Sequence, residues 1–201
     1  NKGEVVIIAG ASGAGKSTIL NILGGMETLT EGEITVDGQK ISDYSQKERV
    51  GYRRYDVGFV FQFYNLMPNL TALENVEIAV EICENHLNPK SVLESVGLAD
   101  RLNSFPAELS GGQQQRVAIA RTLAPEPSVL FMDEPLSNLD AKLRLEMRYE
   151  LQRLHLETGS TFVYVTHDQM EAMTLATRIC LINNGVLQQY DPPLKVYNSP
   201  D

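Results

Sequence analysis

A phosphate-binding pattern constrains this chain more strongly than any other feature of its sequence. It fits G-x-x-x-x-G-K-[ST] in full and consists of Gly10, Ala11, Ser12, Gly13, Ala14, Gly15, Lys16 and Ser17. An apolar run typical of a buried parallel strand precedes the pattern, and a helical pattern over 17–26 follows it. Because glycines let successive N–H groups point at phosphate oxygens, this context predicts a phosphate site rather than a glycine-rich turn with a stray lysine.

Four side chains have the types that phosphate chemistry needs. Lys16 is expected to reach the β- and γ-phosphates as a point charge, and Ser17 offers its hydroxyl to Mg²⁺. Asp133 follows the apolar run 128–132, at the end of a predicted strand, where it can hold Mg²⁺ directly or through water. Glu134 comes next and is placed to polarise an attacking water, the alternative being a solvated acidic pair. The sequence therefore predicts ATP and Mg²⁺ as ligands.

Alternating strand and helix patterns predict an α/β fold, a P-loop NTPase core with a mainly parallel sheet. Further strands are predicted at 57–61, 128–132 and 161–165, and further helices at 111–124, 139–158 and up to 177. The dipeptides Asp37-Gly38 and Asn184-Gly185 are typical of hairpin turns. The first of them predicts a small antiparallel β subdomain around 31–41.

Residues 63–107 differ in character from the rest of the chain and predict an inserted helical subdomain. Thr71 is a predicted N-cap, because Glu74 follows it three residues later and an apolar helical face begins there. A second short helix is predicted at 91–97. The insert therefore separates two strands of the predicted core.

Charge and composition exclude several functions. The chain has 26 acidic and 17 basic residues and a formal net charge of -9, which argues against a nucleic-acid partner. No apolar run approaches the ~20 residues of a membrane helix, so no direct membrane insertion is expected. Cys83 and Cys180 lie among apolar residues and predict buried free thiols rather than a disulfide. His86 and His155 match no motif and are expected at the surface.

A second pattern narrows the family. Leu109 is followed by Ser110, Gly111, Gly112 and Gln113, and with the phosphate loop this segment resembles the ATPase subunit of an ATP-binding cassette (ABC) transporter. The resemblance covers nearly the whole chain, because matching motifs follow in order. They are Gln62, the signature 109–113, Asp133-Glu134, the 137–140 turn and His167.

The resemblance implies a role for each motif. Gln62 resembles the lid glutamine that senses Mg²⁺ and the γ-phosphate, so the implied metal contacts are Ser17, Gln62 and Asp133. The signature, Ser110, Gly111, Gly112 and Gln113, is implied to bind the γ-phosphate held by the opposite subunit, while the phosphate loop and Thr18 bind it in their own subunit. Asp140 is the implied dimer contact. His167 resembles the histidine that bridges the γ-phosphate and Glu134, making Lys16, Gln62, Glu134 and His167 the implied catalytic set.

The same resemblance implies two kinds of partner. A second copy of the chain completes each nucleotide site in an ATP sandwich dimer. The surface from Gln62 to Glu84 is implied to receive transmembrane transporter subunits, which places the chain in the cytoplasm at the inner face of the membrane. An apolar cluster begins there; some members are expected to be exposed for docking, the alternative being that all pack inward. Its members are Phe61, Phe63, Tyr64, Leu66 and Met67.

The chain departs from the family pattern at its start. Residues 1–201 predict a single, N-terminally truncated nucleotide-binding domain without the regulatory domain of some relatives. The nine residues before Gly10 include no aromatic side chain to stack on adenine, and Tyr44 and Tyr52 cannot be assigned that role. Nucleotide affinity is therefore expected to be lower by about one to two powers of ten, unless those residues lie outside this sequence.

The two halves also resemble different branches. Residues 1 to about 100 resemble lipoprotein and macrolide exporters, whereas 109–201 resemble maltose-type sugar importers. This mismatch predicts a chimera of the two branches, which assembly in a laboratory would explain. The alternative is natural sequence drift within a broad family. A hybrid that folds but hydrolyses little ATP, and a cassette ATPase of DNA repair or translation, are the competing functional hypotheses.

Overall fold

The computed structural model describes residues 1–199 and contains a six-stranded sheet with a separate two-stranded hairpin. The strands are β1 Val5–Ala9, β2 Thr35–Val36, β3 Gln39–Lys40, β4 Val57–Val60, β5 Val129–Asp133, β6 Thr161–Thr166, β7 Arg178–Asn183 and β8 Val186–Asp191. The helices are α1 Lys16–Leu23, α2 Gln46–Tyr55, α3 Ala72–Val80, α4 Pro89–Ser95, α5 Gly111–Leu123, α6 Ala141–Thr158, α7 Gln169–Leu175 and α8 Pro193–Asn198.

The order of strands in the large sheet is β4-β5-β6-β1-β7-β8, and every neighbouring pair except β7–β8 is parallel. The prediction of an α/β fold with a mainly parallel sheet and a small antiparallel β element is therefore confirmed. Parallel strands end at the same edge of a sheet, so the segments that follow β4, β5, β6 and β1 lie side by side. In open α/β sheets this is the edge where ligands bind.

Both faces of the sheet are buried. Ile7 packs in the larger apolar cluster, which includes residues of α5 and α6, whereas its neighbour Ile8 packs in a second cluster with Leu20 of α1. Alternate residues of β5 divide in the same way, Met132 into the first cluster and Phe131 into the second. Continuous apolar runs are therefore required in the central strands, because each of their faces is covered by helices.

Helices α3 and α4 occupy the segment 63–107 and pack against α5 through buried residues such as Val76 and Leu93. The predicted cap at Thr71 is confirmed, since its hydroxyl accepts from the Glu74 N–H and the Glu74 carboxylate accepts from the Thr71 N–H. The second short helix begins at Pro89, two residues before its predicted start. Asn88 caps it and proline suits its first turn, which the apolar pattern alone did not indicate.

Asn75 holds the loop that enters α3. Its side chain is fully buried; Oδ1 accepts from the Met67 N–H at 2.8 Å, and Nδ2 lies 2.9–3.1 Å from the carbonyl oxygens of Met67, Leu70 and Thr71. We expect Asn75→Ala to lower the free energy of unfolding by about 3 kcal/mol, because it leaves buried backbone groups without partners. Urea denaturation measures this, with the exposed Asn69→Ala as control. Equal, small changes in both variants would contradict the expectation.

Several sequence predictions require correction. Helix α1 begins at Lys16 and ends at Leu23 rather than at 26, because Gly24 and the left-handed Gly25 (φ 69°) follow it. Asp133 is the last residue of β5, not the residue after it. Helix α2 was not predicted at all, although its capping box at Ser45 was visible in the sequence.

The cysteine and histidine expectations are only partly met. Cys83 and Cys180 are free thiols but only half-buried. His86 is exposed, whereas His155 is half-buried, with its ring edge against Phe162 at 5.1 Å between centroids.

Candidate nucleotide-binding site

The phosphate loop lies between β1 and α1 at the edge where the parallel strands end. A Cβ at Gly10 would come within 2.2 Å of the Ile182 carbonyl oxygen, so only glycine fits beside β7. Gly13 and Gly15 have φ of 77° and 92°, in the left-handed region that other residues rarely adopt. The Gly185 N–H donates to the Ala14 carbonyl at 3.1 Å, so a hydrogen bond attaches the phosphate loop to the β7–β8 hairpin.

Lys16 is the charged residue of the loop, and only 6% of its surface is exposed. Its ammonium donates to the carbonyl oxygens of Gly10 at 3.0 Å and Ala11 at 2.9 Å. The N-terminus of α1 follows directly, and its N-cap, Gly15, offers no side-chain acceptor to the first-turn N–H groups. A lysine and free helix N–H groups therefore face the same loop, an arrangement that favours a phosphate group.

Ser17 and Asp133 form a pair of oxygen donors beside this loop. The Ser17 hydroxyl donates to Asp133 Oδ1 at 2.9 Å. Burial raises the pKa of Asp133; the Ser17 hydrogen bond opposes that shift, and the neighbouring Glu134 charge adds to it. Within 1–199 no group of three or more His, Cys, Asp and Glu side chains is placed to hold a metal. A hydroxyl and one carboxylate still fit Mg²⁺, which usually takes few protein ligands and completes its shell with phosphate and water.

Glu134 and His167 meet at the ends of β5 and β6. His167 Nδ1 lies 3.1 Å from Glu134 Oε1. Glu134 has φ 43°, and its backbone is held by a hydrogen bond from its N–H to the Val165 carbonyl and by two from Ser137 to its own carbonyl. A non-glycine residue in this region carries a strain of about 1–3 kcal/mol, and such strain concentrates at functional sites.

Gln62 lies in the segment after β4, near the same edge. Its carbonyl oxygen accepts from Asn138 Nδ2 at 2.8 Å, which links it to the turn that contains Asp140. Within residues 1–199, no hydrogen bond joins the Gln62 side chain to Ser17 or Asp133. The metal contact of Gln62 stays a prediction, and its bond to Asn138 places this segment beside the 137–140 turn.

The signature residues form a helix N-terminus. Ser110 caps α5 in a capping box with Gln113, whose side chain accepts from the Ser110 N–H at 2.9 Å. A Cβ at Gly112 would lie 2.6 Å from Leu143, so this glycine permits close packing of α5 against α6. No hydrogen bond joins the signature to residues 10–18 among the described residues.

Asp140 caps the neighbouring helix α6. Its Oδ1 accepts from the Leu143 N–H at 3.0 Å, and the residue is exposed. Within one chain, then, neither the signature nor Asp140 contacts the phosphate loop by a hydrogen bond.

The 62–84 surface exposes apolar side chains at its start and four glutamates further along, Glu74, Glu77, Glu81 and Glu84. Phe63 and Met67 are 68% and 45% exposed, whereas Tyr64 and Leu66 pack against the core, and Phe61 stacks on Phe59 at 4.7 Å between ring centroids. Some members of the cluster are therefore exposed, as expected, and the alternative that all of them pack inward is wrong; docking on this surface stays a prediction. Arg121 near the C-terminal end of α5 donates to the carbonyl oxygens of Tyr64 and Asn65, which fixes the segment to that helix.

Tyr52 is unavailable as a platform for adenine. It is 6% exposed, and its hydroxyl donates to the Leu23 carbonyl. Burial, with smaller contributions from Asp56 and Tyr44, raises its pKa to about 12. Its role is to attach α2 to the end of α1.

Sequence reasoning missed three residues that support the site: Arg144, Thr166 and Glu171. Arg144 and Asp168 lie 3.5 Å apart, and the buried Glu171 accepts from Thr166 Oγ1. Arg144 and Glu171 both lie in the half of the chain, 109–201, that resembles importers, but the motif comparison assigned neither residue a contact. In the part of the chain that the structure describes, no helix is both long and apolar enough to cross a membrane.

The sheet edge, the phosphate loop and the carboxylates beside it define a P-loop nucleotide-binding domain. The comparisons with known proteins give its family. Residues 1–137 match the family described as "ABC transporter", and the chain belongs to that family.

Curated relatives match along almost the whole chain. It is 46% identical to the sn-glycerol-3-phosphate import ATP-binding protein UgpC of Burkholderia thailandensis, over 98% of this chain and 55% of the relative. It is 45% identical to the maltose/maltodextrin import ATP-binding protein MalK of Escherichia coli K12, over 100% of this chain and 54% of the relative. The chain therefore spans about half the length of these relatives.

A solved structure agrees with the fold. The ATP-binding cassette MJ0796, as a dimer in a post-hydrolysis state bound to ADP and Pi, is 40% identical, with a TM-score of 0.83. The match covers 96% of this chain and 87% of that one. The ABC resemblance expected from the motifs is thus confirmed at the level of the family and the fold.

Proposed function

We propose that this chain binds and hydrolyses Mg-ATP, and that two copies do so together to power transport by transmembrane partner subunits. One observation carries the proposal. The phosphate loop with Lys16, the Ser17–Asp133 pair and the Glu134–His167 pair all lie at one edge of the parallel sheet. Relatives named as import ATP-binding proteins, and a cassette structure with ADP and Pi, support the same conclusion.

The loop binds the triphosphate through backbone N–H groups, the α1 N-terminus and Lys16. When the γ-phosphoryl group is transferred, negative charge spreads over its oxygens, and the buried lysine is placed to stabilise it. Mg²⁺ held by Ser17 and Asp133 would supply further neutralisation of that charge. Deprotonated Asp133 is the form that holds the cation. Burial raises the pKa of Asp133 and so opposes this form, whereas positive charges bound at the site favour it.

Glu134 orients and polarises the attacking water, and His167 holds the Glu134 carboxylate. The left-handed backbone of Glu134 and the contact at 3.1 Å fix the position of this carboxylate beside the loop. His167 is 62% exposed, so its ring is free to contact a phosphate oxygen as well. Positioning of this kind, together with charge stabilisation, is most of what phosphoryl transfer requires of a protein.

A second copy completes each site. The signature is a capped helix N-terminus that makes no hydrogen bond to its own phosphate loop among residues 1–199, and a helix N-terminus favours an anion. The cassette structure at 40% identity is a dimer bound to ADP and Pi, which supports a role for a second copy. We therefore assign Ser110, Gly111, Gly112 and Gln113 to the γ-phosphate of the partner copy, and Asp140 to the dimer contact.

The transmembrane partner binds the 62–84 surface, which exposes Phe63 and Met67. We propose that residues 63–107 act as the helical subdomain of a single nucleotide-binding domain. The chain then works at the inner face of the membrane, attached through its partner.

The two-branch origin remains a further proposal. Motifs before about residue 100 resemble exporters and those after 109 resemble importers, with the junction between 98 and 109. Natural drift is the competing explanation, since importer ATPases align over at least 98% of the chain. A separate comparison of the segments before about residue 100 and after 109 with known proteins tests the chimera. A chimera requires the first segment to be more similar to exporters than to importers. If both segments are equally similar to importers, the chimera is excluded.

The dimeric mechanism predicts that specific activity rises with protein concentration. Each site needs two copies, so turnover per molecule increases until the dimer saturates. Phosphate release from Mg-ATP, measured over about a hundredfold range of protein concentration at fixed ionic strength, tests this. Constant specific activity would contradict the completion of the site by a second copy, and a folded chain with no turnover would be the hybrid scaffold instead.

A further inference from the structure

Arg144, in the first turn of α6, contacts two loops of the site at once. Its Nη2 donates to the Leu139 carbonyl at 3.0 Å, in the 134–140 loop that begins at Glu134. Its Nη1 lies 3.5 Å from Asp168 Oδ2, in the loop that carries His167. Both side chains are half-buried, at 30% and 26% exposure. A planar guanidinium has the donor geometry for two such contacts, whereas an ammonium is a point charge.

Asp168 connects this arginine to His167, its neighbour in the chain. Its Oδ1 accepts from the N–H groups of Met170 and Glu171 at the start of α7, which leaves Oδ2 for Arg144. Its own N–H donates to Thr166 Oγ1 at 3.0 Å. The residue after His167 is therefore fixed to α7, to β6 and to α6.

The other side of the His167 loop is fixed from within the core. Glu171 is 3% exposed, and one of its oxygens accepts from the hydroxyls of Tyr164 and Thr166, both at 2.7 Å. This network attaches α7 to β6. Arg144 supplies the link that the network lacks, the one to the loop containing Glu134 and Asp140.

The Arg144–Asp168 pair and the Glu134–His167 pair line the same small cavity. It has a volume of about 30 Å³, and its lining includes Glu134 and His167 as well as Arg144, Asp168 and Glu171. A cavity of this size holds about one water molecule. A displacement of the Arg144–Asp168 pair therefore changes the wall of the cavity that the Glu134–His167 pair also lines.

We propose that Arg144 is a positioning residue for hydrolysis, which holds the His167 loop against the 134–140 loop so that His167 stays in reach of Glu134. The inference rests on the proposed function for the roles of Glu134 and His167. Among residues 1–199, Arg144 makes no hydrogen bond to Glu134 or His167; it acts through Leu139 and Asp168. Its removal therefore lowers the rate of the chemical step with little effect on ATP binding.

The test compares R144Q and R144K with R153Q. Arg153 lies on the same helix and pairs with Glu150 and Glu157, away from both loops. We expect R144Q to lower kcat roughly 10- to 100-fold, the scale of a misplaced catalytic group, with KM for ATP within about twofold. R144K should recover only part of kcat, because a point charge does not reproduce both contacts. R153Q should keep the native kcat.

A second readout does not depend on turnover. Hydrogen exchange of the amides in 165–171, measured without nucleotide, should accelerate in R144Q and stay native in R153Q. Native kcat and native exchange in R144Q would overturn the inference. If R144Q does not fold, native kcat and exchange in R144K would overturn it instead. If the unmodified chain turns over no faster than Glu134→Gln, the proposed function fails, and the exchange result alone decides whether Arg144 positions the loop.

Discussion

Glu134→Gln is expected to lower the rate of Mg-ATP hydrolysis by about 10²- to 10⁴-fold, while the affinity for ATP changes little. The substitution keeps the shape of the side chain and one side-chain oxygen. That oxygen can still contact His167 Nδ1, which lies 3.1 Å from the Glu134 carboxylate in the native chain. The backbone hydrogen bonds to Val165 and from Ser137 are also kept. The variant loses only the negative charge that polarises the water. A lower rate therefore reports on the chemical step and not on a change in the fold of the site.

Glu126→Gln is the matched control. Glu126 also has a left-handed backbone, with φ 54°, but it is exposed and lies before the start of β5, the strand that ends beside Glu134. It should keep native turnover. Single-turnover phosphate release together with binding of a fluorescent ATP analogue separates the two effects. If Glu134→Gln retained more than about a tenth of native turnover, Glu134 would not be the residue that polarises the attacking water.

Lys16→Ala is expected to have an effect of similar size through a different step. Removal of this charge should weaken ATP binding by about tenfold or more and lower turnover by roughly 10²- to 10³-fold. Lys16 is 6% exposed and its ammonium donates to the carbonyl oxygens of Gly10 and Ala11, so no solvent cation replaces it at the same position. Equilibrium binding and steady-state turnover, measured on the same sample, check both expectations.

Lys142→Ala controls for the loss of one positive charge. Lys142 is exposed on α6, and among the described residues no hydrogen bond or ion pair joins it to the phosphate loop. Its replacement should leave both ATP affinity and turnover native. Equal effects of the two lysine variants would show a general charge effect on an acidic chain, and would remove Lys16 from the site.

The parallel core was predictable because its strands are buried on both faces. Val5–Ala9 and residues 129–132 are continuous apolar runs, a composition typical of strands that are covered by helices on both sides. Helix α2 escaped prediction because its exposed face is strongly polar and few of its residues are buried; Tyr52 alone among Gln46–Tyr55 is classed as buried. A capping box was its only local signal.

Motifs indicated which residues form the candidate site, but not how they are supported. The phosphate loop requires its residue types for local reasons, such as the left-handed φ of Gly13 and Gly15, so pattern and structure agree there. The 2.2 Å restriction at Gly10 comes from Ile182, far along the chain, and no local pattern contains it. The same holds for the contact of Arg144 with Asp168, 24 residues away.

Helix α5 joins two parts of the molecule that lie far apart. Ser110 caps its N-terminus, and Arg121 near its C-terminus holds the carbonyl oxygens of Tyr64 and Asn65, between the exposed Phe63 and Met67. Thirteen helical residues span about 20 Å. The helix therefore connects the segment around Tyr64 and Asn65 rigidly with the capped N-terminus at Ser110. If the proposed transporter partner binds residues 63–67, a displacement of that segment is transmitted along α5 to Ser110, and so to the γ-phosphate contact proposed for the signature.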